Sequence, residues 1–292
     1  MRFALIGVGD IGSRYAGKIA LSGHDVLFIS RGDRLKELQS SGLRIEDGAF
    51  GGAFSIPEVD ATDDVEGRDP VDVIIVGVKT YHLPEAADQV KPIVGPNTLV
   101  IPLQNGVDAP GRIGDVVGHE HMLGYATYSP NFIGELDSPV SDRLRSLHTV
   151  LVDAGWNVKT TDNIWQPLWT KMCAYASFSP FIVARLSPGD AYRFETLRGL
   201  HQQACEEVAA VGQAEGFEMS AKQLVDFAQV FPTSKQSMTR DLENGRPLEV
   251  EDLIGRVVRA ADEHGIDAPA ITSCYQLLKP YENGSIQQTN IQ

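Results

Sequence analysis

Gly7, Gly9 and Gly12 stand at the spacing GxGxxG, directly behind the apolar run RFALIGV and ahead of a helical pattern. In a strand–turn–helix setting this spacing suits a dinucleotide. The first glycine allows a tight turn, the second lets the backbone approach a pyrophosphate, and the third packs helix on strand. The helix N-terminus then presents N–H groups and a positive dipole end to the phosphates. In a chain with 28 glycines the motif is weak out of context, and a structural turn is the bland alternative. Gly7, Gly9, Asp10, Ile11 and Gly12 are therefore read as cofactor contacts because of where they stand. About twenty residues on, where NAD enzymes carry an acid for the ribose hydroxyl, the second apolar run ends in Ser30-Arg31. A hydroxyl and a guanidinium suit a 2′-phosphate, so NADP(H) is the expected cofactor. A surface role for Arg31, with Asp33 close by, is the competing reading. Lys79 follows the run VDVIIVGV, and Asn105 follows TLVIPL and Gln104. Ligands gather at the carboxyl ends of strands in open α/β sheets, so both residues are placed to meet cofactor or substrate. For Asn105-Gly106 a plain turn is the alternative.

The elements that position these residues read as a βαβ chain. Strands are predicted at RFALIGV, near 25–30, at 71–78, at 98–103 and at 122–128, with helical stretches such as SRYAGKIALSG and YHLPEAADQVKPIV between them. The runs at 71–78 and 98–103 are nearly all apolar, as parallel strands covered on both faces are. Leu43 to Ile56 reads as a hairpin or irregular insertion, with GAFGGA marking turns. Beyond 157–163 the pattern turns helical, at about 163–186, 190–215, 220–231, 249–264 and 268–282. In the fourth of these, apolar residues recur with a 3.6-residue period up to Gly265, read as a C′ glycine. The tail ENGSIQQTNIQ reads as frayed. The fold class is thus α/β: a Rossmann-type doubly wound parallel sheet over 1–162, followed by an all-helical substrate and dimerisation domain over 163–292.

With VGVKT, LQNGV, W-T-K at 169–171 and Q-S-M through E-V-E-D at 236–252, the chain resembles the ketopantoate reductase (2-dehydropantoate 2-reductase) family over nearly its whole length. The resemblance implies NADPH-dependent reduction of a 2-oxo acid, with ketopantoate to (R)-pantoate in pantothenate biosynthesis as the leading reaction. It implies that Lys171 protonates the ketone oxygen, that Asn105 orients substrate and nicotinamide, that Ser237 holds the carboxylate, and that Glu249 bonds substrate and positions the lysine. A positioned ammonium can neutralise the charge that hydride addition builds on oxygen. The family's asparagines four and eight residues after the lysine are replaced here by Tyr175 and Ser179, and another, three before Ser237, by Ser234. These three are read as substrate-binding positions that reshape specificity. Another 2-oxo or 2-hydroxy acid, an imine reduced by an opine-type enzyme, and a non-catalytic NADPH sensor stay open.

Composition narrows the partners. There are 25 Lys and Arg against 39 Asp and Glu, a net charge of −14, in 292 residues. Such a surface repels nucleic acid and anionic lipid, so neither is an expected partner. Three cysteines, Cys173, Cys205 and Cys274, form no CxxC pair and suit a reducing compartment. No signal peptide or membrane span is read, so a soluble, cytoplasmic protein is expected, with a homodimer left open. His82, His119, His121 and His148 lack metal-ligand spacing and read as surface or turn residues, with no metal expected. Trp165 and Trp169 read as ordinary core.

Overall fold

The computed structural model describes residues 1–46, 52–127, 130–230 and 233–286. The strands are β1 (Arg2–Ile6), β2 (Asp25–Ile29), β3 (Leu43–Ile45), β4 (Phe54–Ile56), β5 (Asp60–Thr62), β6 (Val71–Val76), β7 (Val94–Pro102), β8 (Leu123–Ala126), β9 (Asn131–Glu135) and β10 (Val158–Thr160). The helices of the first half are α1 (Asp10–Leu21), α2 (Gly32–Ser41), α3 (Leu83–Val90), α4 (Ala109–Val117) and α5 (Asp142–Asp153). A parallel sheet of order β5-β2-β1-β6-β7 organises the first compact unit, Met1–Leu168.

Alternation along the strands explains why helices cover both faces. Phe3, Leu5, Phe28, Val73 and Ile75 pack under α1 and α5, against Ile19, Leu144 and Leu147. Their neighbours Ala4, Ile6, Leu27, Ile74 and Val76 pack on the opposite side, against Leu83 and Val90 of α3 and Ile113 of α4. The sheet is doubly wound, as predicted. Three strands escaped the sequence pattern: β5, which extends the sheet beside β2, and β9 and β10. The last two form a second sheet with β8, in the order β10-β9-β8, and a single parallel bridge from Val100 to Met122 ties it to β7. The run predicted at 122–128 is strand over Leu123–Ala126, and its last residue lies outside the described residues. β3 and β4 pair antiparallel, Leu43 opposite Ile56, which gives the insertion its hairpin form. Most of GAFGGA lies outside the described residues, as does the end of the tail.

The second compact unit runs from Trp169, within α6 (Trp165–Ser177). The start of this helix belongs to the first unit for two reasons. Ile164 sits so close over Gly124 and Gly134 that a Cβ on either would collide with it, and Trp165 Nε1 donates to the Leu136 carbonyl at 2.9 Å. The remaining helices are α7 (Ser179–Ala184), α8 (Pro188–Ala191), α9 (Glu195–Ala214), α10 (Ala221–Val230), α11 (Ser237–Glu243), α12 (Arg256–His264) and α13 (Pro269–Leu278). A π-helical turn, Glu251–Gly255, precedes α12, and Gly265 ends α12 in the left-handed region at φ 65°. Among the described residues this unit has no strand. The helix predicted over 163–186 breaks at Phe178, because Pro180 brings no N–H to bond back and its ring clashes with the preceding turn. Trp169, stacked on Phe217 at 5.3 Å under the Arg256 guanidinium, is core as read.

Candidate active site

In the first unit the three motif glycines divide their work as their surroundings require. Gly7 has φ 88°, and a Cβ there would lie 2.4 Å from the Val78 nitrogen. A Cβ on Gly12 would meet the Gly7 carbonyl at 2.8 Å and Leu5 at 2.9 Å, so helix and strand touch there. Around Gly9 nothing lies within 4 Å of that position. Gly9 is also the N-cap of α1 and brings no side-chain cap, so the first N–H groups of the helix are left for an external acceptor. Turn, open cap and close packing fit a pyrophosphate. Asp10 pairs with Arg14 at 3.0 Å, and Ile11 packs against the sheet core.

Ser30 closes β2, its nitrogen donating to the Thr62 carbonyl at 2.9 Å. Arg31 is the exposed N-cap of α2, and its two terminal nitrogens both bind the Glu85 carboxylate, Nη2 at 3.2 Å. That acceptor holds the Arg31 guanidinium above its ordinary range and the Glu85 carboxyl below its own. Asp33 is fully exposed and pairs with Lys36 at 3.1 Å. Lys79 caps the short 3-10 turn Thr80–His82 behind β6. Asn105 is half-buried behind β7 in a turn whose Gly106 has φ 94°. The residue that sets this turn was not singled out in the sequence: buried Gln104 donates to the Val76 and Val78 carbonyls at 3.0 and 2.8 Å and ties the ends of β6 and β7 together. A glutamine before Asn-Gly gives no sign of that until the strands are paired.

In the second unit Lys171 lies on α6 and Glu249 just ahead of the π-turn, buried at 8% exposure between Leu248 and Val250. Burial pulls the Lys171 ammonium down to about 7, and the charge of Glu249 opposes that shift. One turn along α6 the Tyr175 hydroxyl lies 2.5 Å from Ser237 Oγ and accepts from the Met238 nitrogen at 3.3 Å, which joins α6 to the head of α11. The other two predicted positions do not join this group. Ser179 is fully buried, because the break at Phe178 takes it off the face that carries Lys171 and Tyr175. Ser234 is exposed, in the irregular stretch before α11. The π-turn is anchored by Glu251, which accepts from Tyr275 at 2.5 Å and Arg259 at 2.8 Å and binds Lys279. Such turns recur at functional sites, but no sequence period announces one.

Among the described residues no group of His, Cys, Asp and Glu could hold a metal. His82 and His119 are exposed and His148 is half-buried. His121 lies in a turn yet is buried, with Nδ1 2.8 Å from the Thr98 carbonyl.

A doubly wound sheet with an open glycine turn, and a helical unit holding a half-buried lysine and a buried glutamate, are the parts of an oxidoreductase. The family model for "Ketopantoate reductase PanE/ApbA" matches residues 3–135, and that for its C-terminal domain matches 163–282. The chain belongs to the ketopantoate reductase family, and it is an enzyme. A 2-dehydropantoate 2-reductase of Mesorhizobium japonicum is 28% identical, with 88% of this chain and 90% of that protein covered. One from Archaeoglobus fulgidus is 26% identical over 97% and 98%. The crystal structure of a PanE/ApbA-family ketopantoate reductase from Ralstonia eutropha superposes with a TM-score of 0.86 at 26% identity, covering 97% of this chain and 98% of that one. A D-mandelate dehydrogenase in ternary complex with NADH and anilino(oxo)acetate shares the fold at a TM-score of 0.86 and 20% identity, covering 97% and 98%.

Proposed function

We propose that this chain reduces a 2-oxo acid to the 2-hydroxy acid with NADPH, and that 2-dehydropantoate, giving (R)-pantoate for pantothenate biosynthesis, is its first candidate substrate. The observation that carries this reading is the half-buried Lys171 on α6, its ammonium desolvated and acted on by the charge of buried Glu249. Hydride addition to the carbonyl carbon leaves charge on oxygen, and an ammonium brought to about 7 can give up its proton near neutral pH. Glu249 holds the lysine charged and oriented until then. The Ser237 and Tyr175 hydroxyls bind the carboxylate end of the substrate. When bound, NADPH supplies the hydride. Gly7, Gly9, Asp10, Ile11 and Gly12 hold its pyrophosphate, Ser30 and Arg31 its ribose phosphate, and Lys79 and Asn105 its nicotinamide half. The absence of an acid at the end of β2 supports NADP over NAD.

A second reading within the same chemistry rests on Tyr175. A phenol committed to Ser237 at 2.5 Å, where the family carries an amide, favours a 2-oxo acid without the ketopantoate hydroxyl. NADPH oxidation followed against a panel of 2-oxo acids, ketopantoate included, decides between the two. Turnover of none of them sinks both. The proposal extends to a cytoplasmic homodimer. No described helix is long and apolar enough to cross a membrane, and exposed Leu200 and Leu277 line an apolar groove on the second unit of the kind that pairs with a partner surface. Light scattering coupled to gel filtration tests the dimer, which a monomeric mass would refute.

A further inference from the structure

The first unit carries a second polar cleft, of about 480 Å³, between the head of α1, the first turn of α2 and β3. Gly9 and Asp10 form its edge towards the glycine turn, and Ser13, Arg34 and Arg44 line it. In a chain of net charge −14 this is an unusual lining. Arg14 neutralises Asp10 at 3.0 Å and donates to the Glu46 carbonyl at 2.6 Å. Arg34 is paired with Glu37 at 2.7 Å, and exposed Glu46 is the remaining carboxylate of the lining. Arg34 is anchored through Nε to the Val8 carbonyl at 3.3 Å and through Nη1 to Glu37 at 2.7 Å, so its fork is already oriented. Ser13 supplies an independent sign. It is 1% exposed, and its Oγ has no hydrogen-bond partner. A buried hydroxyl left unsatisfied costs about 1–3 kcal/mol, so one that lines a basic cleft is explained by a ligand that accepts from it.

We infer that this cleft is a phosphomonoester site, with Ser13, Arg34 and Arg44 as its ligands, and that its occupant is the 2′-phosphate of NADP. The inference rests on the NADPH reading above and moves the 2′-phosphate from Arg31, whose terminal nitrogens are on Glu85, to this cleft. Arg31, the arginine at the end of β2, has both terminal nitrogens on Glu85, whereas Arg44 has no ion pair among the described residues. The Arg44 fork, the remaining Nη2 of Arg34 and a hydroxyl match the acceptor oxygens of a phosphate dianion. They stand next to the turn that receives the pyrophosphate.

The test is equilibrium titration of the full chain with NADPH and NADH, and with 2′-AMP and inorganic phosphate as competitors. Arg44→Ala and Arg34→Ala are each expected to weaken NADPH about tenfold or more and to leave NADH within about twofold. Ser13→Ala should weaken NADPH about threefold to tenfold while the melting temperature of the unliganded protein holds or rises, because the lost hydroxyl had no partner. Binding of 2′-AMP should vanish in Arg44→Ala. Equal losses for both dinucleotides would overturn the assignment. So would an NADPH preference that survives Arg34→Ala and Arg44→Ala and disappears in Arg31→Ala. Wild-type protein that binds NADH as tightly as NADPH would instead refute the cofactor reading. In that event, inorganic phosphate bound by wild type and not by Arg44→Ala upholds the cleft itself, and no phosphate binding removes it.

Discussion

Burial brings the Lys171 ammonium from an ordinary 10.5 to about 7 against the pull of Glu249. The unfolded chain therefore holds that proton more tightly than the folded one. The sign follows from linkage: between about 7 and 10.5 the unfolded state binds more protons, so stability climbs with pH across that window and the penalty is complete below it. Lys171→Met removes charge and penalty together. Its hydride-transfer rate should fall about 10²–10⁴-fold, or ~3–5 kcal/mol of transition-state stabilisation, while its melting temperature at neutral pH rises by about 2–4 °C or more. For wild type the reduction rate should decline as pH rises through about 7, because the donor must carry its proton. A methionine variant with full turnover would remove the acid role from Lys171. Tyr175→Asn tests substrate choice without disturbing the break at Phe178, and should raise turnover of ketopantoate relative to an unbranched 2-oxo acid. Ser179→Asn serves a different purpose. At a fully buried position the larger amide should destabilise by about 1–3 kcal/mol and leave the substrate ranking alone. A change of ranking from Ser179→Asn and none from Tyr175→Asn would reverse the roles assigned to the two positions.

At the scale of elements, helix α13 shows how one distant side chain completes a helix. It starts at Pro269 with no cap of its own. Buried Glu207 from α9 instead accepts from the Ala270 and Ile271 nitrogens at 3.0 and 2.9 Å. Glu207→Ala should cost about 2–3 kcal/mol, since two buried N–H groups lose a charged acceptor, and thermal unfolding measures it. An unchanged melting temperature would mean that water replaces the carboxylate. Such long-range caps leave no mark in a sequence, and they show what could be read and what could not. β1, β6 and β7 were legible because strands buried on both faces must be continuously apolar. β5 (Asp-Ala-Thr) and β10 (Val-Lys-Thr) are three-residue strands whose pairing comes from neighbours rather than from any alternation of their own. Pro180 is visible in the sequence, but that it divides the stretch 163–186 into two helices shows only in the structure. For the site, Lys171 and Glu249 came from the resemblance alone, because neither carries a local signal. Gln104, the π-turn and the Tyr175–Ser237 contact needed the tertiary structure. Ser13, Arg34 and Arg44 are far apart in sequence and fall into no motif.

For the whole molecule, acid is the telling variable. His201 is fully buried among Phe178, Phe181 and Tyr192, and burial pushes its imidazole down to about 4. The folded value lies below the unfolded 6.5, so stability is whole above pH 6.5 and is lost as pH falls through about 4, by about 3 kcal/mol. Over the same descent the excess of 39 acidic over 25 basic side chains stops repelling neighbouring molecules. Melting temperature and turbidity followed from pH 7 to 4 should therefore worsen together. His201→Phe should flatten the stability curve while leaving the turbidity as it was, and an unflattened curve would show that the imidazole is not the cause. The chain also carries its own optical labels. Of its three tryptophans, Trp156 and Trp165 belong to the first unit and Trp169 to the second. Trp156 is 3% exposed and lies 4.3 Å from the ring of Tyr15 on α1, so its emission is that of an indole shielded from water. Trp169→Phe leaves a protein whose fluorescence reports the melting of the first unit alone, and subtracting that trace from the wild-type one isolates the helical unit without any attached dye.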